Sequence, residues 1–184
     1  LIKQSDEYHV RCDETNGTIW AYDAGIWKPD GDTQLGYACR KTLGPVNYGQ
    51  NVLRELKTQV RADPYVAIDR EMFGVEPGKV AVENGLLDLR KAANEGCDAV
   101  RPLQPADYAL SRLPVRYDAD ASTELCEKFV GDVIEADKID AVQEYVGYCL
   151  HRGEMPFGRA LLLVGHGANG KTTFLNMVRE LLGD

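Results

Sequence analysis

Residues 160–182 carry a strand–loop–helix pattern that few folds can host. Ala160-Leu161-Leu162-Leu163-Val164 is an unbroken apolar run, as a strand buried on both faces requires. Gly165-His166-Gly167-Ala168-Asn169-Gly170-Lys171-Thr172 follows and matches G-x-x-x-x-G-K-[ST] without a gap. Thr173 to Leu182 then reads as an amphipathic helix, with Gly183 as its stop. A chain ending this way must seat a phosphate-binding loop between a sheet and a helix.

Each loop position has a physical task. Glycines permit a tight turn and let the backbone approach a phosphate closely. Backbone N–H groups from about Gly167 to Thr173 point inward, and the helix opening near Lys171 adds its positive dipole end. Lys171 is expected to reach the β- and γ-phosphates and is the catalytic candidate. The Thr172 hydroxyl is the candidate Mg²⁺ ligand. The nucleotide-binding set is Gly165, Gly167, Ala168, Asn169, Gly170, Lys171, Thr172 and Thr173. Asn169 stands where a left-handed backbone is expected, which asparagine tolerates well. His166 is expected to face outward with no catalytic role. The ligand is ATP or a similar triphosphate, with Mg²⁺. Hydrolysis also needs an acid on a second strand, a group that orients water, and often an arginine from a neighbour. None is expected within the chain, and the acids of 117–144 are not recruited because they fall upstream on predicted helices.

The upstream sequence alternates strands and helices. Tyr8 to Cys12 predicts a short strand. Thr18–Tyr22 and Ile26–Lys28 flank Asp23-Ala24-Gly25 and predict a hairpin, with Trp20 and Trp27 pairing across it. Those tryptophans are read as core anchors rather than as a platform for stacking bases. A helix is expected over about 33–43, ended by Gly44-Pro45, and a second over about 51–61 with an apolar stripe of Val52, Leu53, Leu56 and Val60. Arg54, Lys57 and Arg61 share one face of that second helix. They form a candidate DNA-facing set, against the plainer reading of a solvated face.

Val80–Val82 and Leu86-Leu87 surround Glu83-Asn84-Gly85, a hairpin signal. Residues 102–114 read as irregular, and Leu113–Tyr117 as extended. Helices are expected over about 122–135, carrying Leu125, Cys126, Phe129, Val130 and Val133, and over about 137–151 with Asp137 as N-cap. Gly153, Pro156 and Gly158 mark a linker.

Composition narrows the class. The 184 residues are 44% hydrophobic and 27% charged, ordinary for a chain with a packed core. No stretch approaches the apolar length of a membrane span. The start has no secretory signal and no initiator Met, which reads as a piece of a longer protein. Cys12, Cys39, Cys97, Cys126 and Cys149 are odd in number and scattered, which opposes a disulfide framework or zinc ribbon and suits a reducing interior. A His9/Cys12/Cys39 metal site is conceivable, but isolated buried thiols fit better.

The net charge of −8 opposes nucleic-acid binding only on average. Between Ala38 and Arg61, Arg40, Lys41, Arg54, Lys57 and Arg61 face one acid, Glu55, for a net +4. Between Tyr117 and Glu144, nine acids face two lysines, for a net −7.

Several stretches resemble one family. Asn84-Gly85-Leu86-Leu87-Asp88-Leu89 resembles its "NGvlDL" signature. Asp107-Tyr108 with Leu113-Pro114-Val115-Arg116-Tyr117-Asp118 resembles its "lpv-YD" stretch, and Glu144–Leu150 its "lqE-lGY-L" helix. The loop, with Asn169 before Gly170, resembles its G-x-G-x-N-G-K-S form, with Thr172 for the commoner Ser. Trp20–Trp27 resembles its "Y-dgG-vW" start. The family is the primase–helicase replication proteins of phages, plasmids and large DNA viruses, in which a poxvirus-type N-terminal module precedes a superfamily 3 helicase ATPase.

The resemblance implies ATP hydrolysis coupled to DNA unwinding in the full-length protein, as a hydrolase of the host cytoplasm. It also implies a homo-oligomer, six subunits in a ring, with no membrane partner. The helices of 122–135 and 137–151 would be candidates for holding the ring together. The expected architecture is an α+β N-terminal module over 1–157, with a helical element at about 122–152. The first strand–P-loop–helix of an α/β, AAA+-like ATPase follows over 158–184, truncated C-terminally. Two alternatives stay open: another P-loop NTPase or kinase, and a non-enzymatic docking or oligomerisation module.

Overall fold

The computed structural model describes residues 9–150, 157–167 and 169–183. The chain divides into two compact units: residues through Gly74 with Gln104–Ser111, and Val75–Leu103 with the residues from Arg112 onward.

The first unit is a four-stranded sheet with two helices. β1 (Val10–Asp13) and β3 (Ile26–Lys28) each pair antiparallel with β2 (Ile19–Asp23). Asp23 pairs with Ile26, so the turn is Ala24-Gly25, both at positive φ (50° and 92°). That is the turn whose twist matches paired strands. α1 (Gly31–Asn47) and α2 (Gln50–Ala62) then form the crossover that brings β4 (Ala67–Ile68) parallel to β1.

Alternation along β2 sends its side chains to two faces. Ile19 and Ala21 join Val10, Cys12, Leu35, Val60 and Val66 in one core, with Leu53 and Leu56 packed against it. Trp20 joins Trp27, Ile68 and Phe73 in a second, bordered by Tyr22, Tyr108 and Leu110. The two tryptophans share this face but are not opposite each other. Trp27 pairs with Tyr22, and Phe73 lies between the indoles with ring centroids 4.7 Å from Trp20 and 5.8 Å from Trp27.

Two helix expectations need correcting. Gly44 (φ 73°, ψ 168°) does break the first helix, but the chain resumes helical form past Pro45 as far as Asn47. Proline is well tolerated at the start of a helical turn, where its missing N–H has no partner to lose. In α2, Val60 is buried and Leu53 and Leu56 are half-buried, whereas Val52 is 39% exposed. Val52 sits beyond the edge of the stripe that the sheet covers.

The second unit starts with a three-stranded antiparallel sheet of β5 (Lys79–Val82), β6 (Gly85–Asp88) and β7 (Val100–Arg101), with α3 (Leu89–Glu95) between the last two. Val82 pairs with Gly85, so Glu83-Asn84 is the turn and Gly85 already belongs to the strand. Gly85 has φ 149°, and a Cβ there would collide with the carbonyl oxygen of Arg101. Only glycine lets β7 come this close. Residues 113–117 run alongside β5: the Leu113 N–H donates to Ala81 (2.8 Å) and the Glu83 N–H to Val115 (2.9 Å). Asn84 donates to the Tyr117 carbonyl and accepts from the Tyr117 N–H, both at 3.0 Å.

α4 (Glu124–Val133), α5 (Ile139–Leu150) and α6 (Lys171–Leu182) complete this unit. Within α4 only Val130 is buried, while Leu125 (81%) and Cys126 are exposed. Asp137 is not an N-cap. It lies inside a 3-10 turn, Ala136–Lys138, that runs directly into α5. Of the proposed linker glycines and proline, Gly158 is described and non-helical, and Gly153 and Pro156 lie outside the described residues. The architecture is α+β.

Candidate functional site

The glycine-rich loop leads into α6 as its residues dictate. Gly170 adopts φ 83°, ψ −4°, and its carbonyl accepts the first helical bond, from Phe174 N–H at 2.9 Å. The left-handed position is therefore Gly170 and not Asn169. A Cβ at Gly170 would sit 2.7 Å from the Val133 methyl of α4, so packing demands glycine as well. Phe174 is buried, and Met177, Val178, Leu181 and Leu182 are half-buried along the helix. Gly183 ends it at φ 82°, donating to the Arg179 carbonyl (2.9 Å).

Lys171 curls back over the loop. Its Nζ donates to the carbonyls of Gly165 (2.9 Å) and His166 (2.8 Å) and to Asn169 Oδ1 (2.6 Å). An ammonium has three donors, and here each meets an oxygen. The same donors suit phosphate oxygens, so the group fits the ligand class. Thr172 and Thr173 are exposed in the first turn of α6, where amide N–H groups lack helical partners, and His166 is exposed. Ala168 lies outside the described residues.

The predicted strand is the main departure. Residues 160–164 form no strand, and Leu162 and Val164 are 82% and 84% exposed. A strand exists only with a neighbour to complete its hydrogen-bond ladder, and no described strand lies beside this run.

A cavity of about 390 Å³ adjoins the loop, lined by Leu161 to Val164, Asn169, Lys171 and Phe174, and by residues of the α4–α5 connection including Val133, Glu135 and Lys138. Glu135 thus reaches the surroundings of Lys171, although it lies far upstream among the acids of 117–144. Lys138 donates to Glu135, and that hydrogen bond and charge raise the lysine's pKa. No local sequence pattern announces this neighbour. It follows from the tight α4–α5 connection and from Val133 lying on Gly170.

The basic face of α2 is only partly available. Asp32 of α1 lies 3.4 Å from both Lys57 and Arg61. Arg61 also donates to the Gly17 carbonyl (3.0 Å), and Arg54 to Asn51 of its own helix (3.1 Å). Arg61 thereby anchors the β1–β2 turn.

The aromatic cluster is interior. Trp27 (1% exposed) donates from its indole to the Pro105 carbonyl at 2.8 Å, and Trp20 is 8% exposed with Arg70 over its ring at 4.7 Å. Neither presents a face for stacking bases. Burial raises the pKa of Tyr22 beside them, with Asp107 adding to it. Among the described residues, no group of three or more His, Cys, Asp or Glu could hold a metal ion. No described helix is long and apolar enough to cross a membrane.

Compared with known proteins, residues 3–135 match a family model described as D5 N terminal like. No curated protein matches the chain.

Proposed function

The chain belongs to the D5 N-terminal-like family, the N-terminal module of phage and viral primase–helicase proteins, and from that premise we propose that it couples this module to the nucleotide-binding start of a DNA helicase. The module spans 1–157, and the phosphate-binding loop and helix of the ATPase lie within 158–184. Within a longer polypeptide the activity is ATP-dependent unwinding of DNA by a homo-oligomeric, six-membered ring in the host cytoplasm.

The observation that carries this reading is Lys171, whose Nζ donates to three oxygens of its own loop. A triphosphate would replace those oxygens with its own. Backbone amides of Gly165, Gly167, Ala168, Asn169 and Gly170, and those of Lys171, Thr172 and Thr173 at the head of α6, would cradle the phosphates. Lys171 would neutralise β- and γ-phosphate charge. The Thr172 hydroxyl would hold Mg²⁺, which supplies electrostatic stabilisation of charge on the transferring phosphoryl group.

Titration with a fluorescent ATP analogue and Mg²⁺, beside Lys171→Ala, tests the proposal. Binding by the wild type, abolished in the variant and without turnover in either, is the expected result. Equal binding by both proteins would overturn the assignment of the loop.

A further inference from the structure

Backbone conformation does not account for asparagine at position 169, because the left-handed position of the loop is Gly170, at φ 83°. The side chain of Asn169 has a task of its own. Its Oδ1 accepts from Lys171 Nζ at 2.6 Å, the shortest of the three bonds that the ammonium makes. Its Nδ2 lies at the other end of the loop, in the space that a Cβ on Gly165 would take. The amide therefore spans the loop from its first glycine to its lysine. The three oxygens around Lys171 are not equivalent. Those of Gly165 and His166 are backbone carbonyls, which move only with the chain. That of Asn169 is carried by an exposed side chain, which leaves by changing rotamer.

We propose that Asn169 is a built-in stand-in for the terminal phosphate, holding Lys171 in the nucleotide-free and diphosphate-bound loop and giving way to a triphosphate. The proposal rests on the reading of this loop as a nucleotide site, and it names what regulates that site. A diphosphate ends at the β-phosphate, so Asn169 keeps the lysine donor that a γ-phosphate would take. The amide oxygen is neutral, whereas a hydrogen bond between an ammonium and a charged phosphate oxygen is stronger, so Asn169 yields when the third phosphate is present. Its bond to Lys171 is lost only in that state. Asn169 thereby holds the loop's preference for triphosphate over diphosphate below what the same loop would show without the amide.

The test is titration of the 184-residue chain with fluorescent ADP and with a fluorescent non-hydrolysable ATP analogue, each with Mg²⁺, read as the ratio of the two affinities. Asn169→Ala should shift that ratio toward the triphosphate about threefold or more. Asn169→Asp should shift it the other way about tenfold or more, since a carboxylate binds the ammonium by charge and repels the γ-phosphate. A residue that only shaped the loop would weaken both nucleotides alike when replaced and leave the ratio where it was. In ¹⁵N-labelled protein, the Asn169 side-chain amide signal, identified by its loss in Asn169→Ala, should move further with the ATP analogue than with ADP.

A ratio that neither variant moves, with Lys171→Ala abolishing binding, overturns the stand-in while the nucleotide reading stands. A ratio that shifts toward the diphosphate in Asn169→Ala would show the amide binding the triphosphate itself, and overturns the proposal as well. Binding that Lys171→Ala leaves intact, or no binding by the wild type, overturns the nucleotide reading of the loop and the stand-in with it.

Discussion

Strands β2 and β3 and the run 160–164 are both short and apolar, yet Trp27 in the hairpin is 1% exposed while Leu162 in the run is 82% exposed. The hairpin carries its partner with it, because a two-residue turn folds one strand onto the next within the same stretch of sequence. The run 160–164 lies beside no described strand, and apolar character alone cannot create a hydrogen-bond ladder. Local turn chemistry completes a strand. Hydrophobicity only states that one is wanted.

The sharpest test of that contrast compares the two side chains directly. Trp27→Ala removes a fully packed indole and its bond to Pro105, at an expected cost of about 3–5 kcal/mol. Leu162→Ala should cost no more than about 0.5 kcal/mol, as exposed substitutions do. Urea denaturation of both variants measures the difference. A loss of several kcal/mol for Leu162→Ala would mean that the run is buried in solution, and the contrast would collapse.

The second hairpin refines the lesson, since its pairing depends on an approach that only glycine allows. Gly85→Ala places a Cβ against the Arg101 carbonyl at a backbone angle that L-residues rarely adopt. A loss of about 2–3 kcal/mol is expected, with β7 amides losing exchange protection first. Asn84→Ala keeps the turn but leaves the Tyr117 N–H and carbonyl unpaired, for about 1–2 kcal/mol. Hydrogen exchange that loosened residues 113–117 equally in both variants would show that the strand and the flanking segment move together.

These positions also show what could be read from residues alone. Asp23-Ala24-Gly25 and Glu83-Asn84-Gly85 between apolar runs revealed both hairpins, because turn chemistry is local. The opening of α6 and its stop at Gly183 were legible for the same reason. The exact role of Gly85 was not, since its reason is a carbonyl of β7 sixteen residues later. The ion pairs of Asp32 with Lys57 and Arg61 lay equally out of reach: a helical face drawn from α2 alone omits what α1 brings to it. Likewise Glu135 beside the Lys171 cavity depends on a packing between elements that no spacing encodes. Residue types placed the candidate loop, and tertiary neighbours decided which charges around it and elsewhere stay available.

The smallest effect concerns two cysteines that the sequence could not tell apart. Cys12 is buried in β1 and Cys126 is exposed on α4. Burial pushes the Cys12 thiol above its ordinary pKa. Arg61 opposes this, while the negative charges of Asp13 and Glu14 reinforce it. The folded state therefore disfavours the thiolate. Its stabilising contribution is complete below the unfolded thiol pKa and is lost as pH rises through the folded one. Between neutral pH and the alkaline end of the thiol range, the wild type should lose stability relative to Cys12→Ala, read as a steeper fall of its urea midpoint. Iodoacetamide at neutral pH should modify Cys126 well before Cys12. Parallel midpoint curves for the two proteins, or equal labelling rates, would show that β1 opens too readily for its burial to control the thiol. The paired strands would then be no better sealed than the exposed run near the loop.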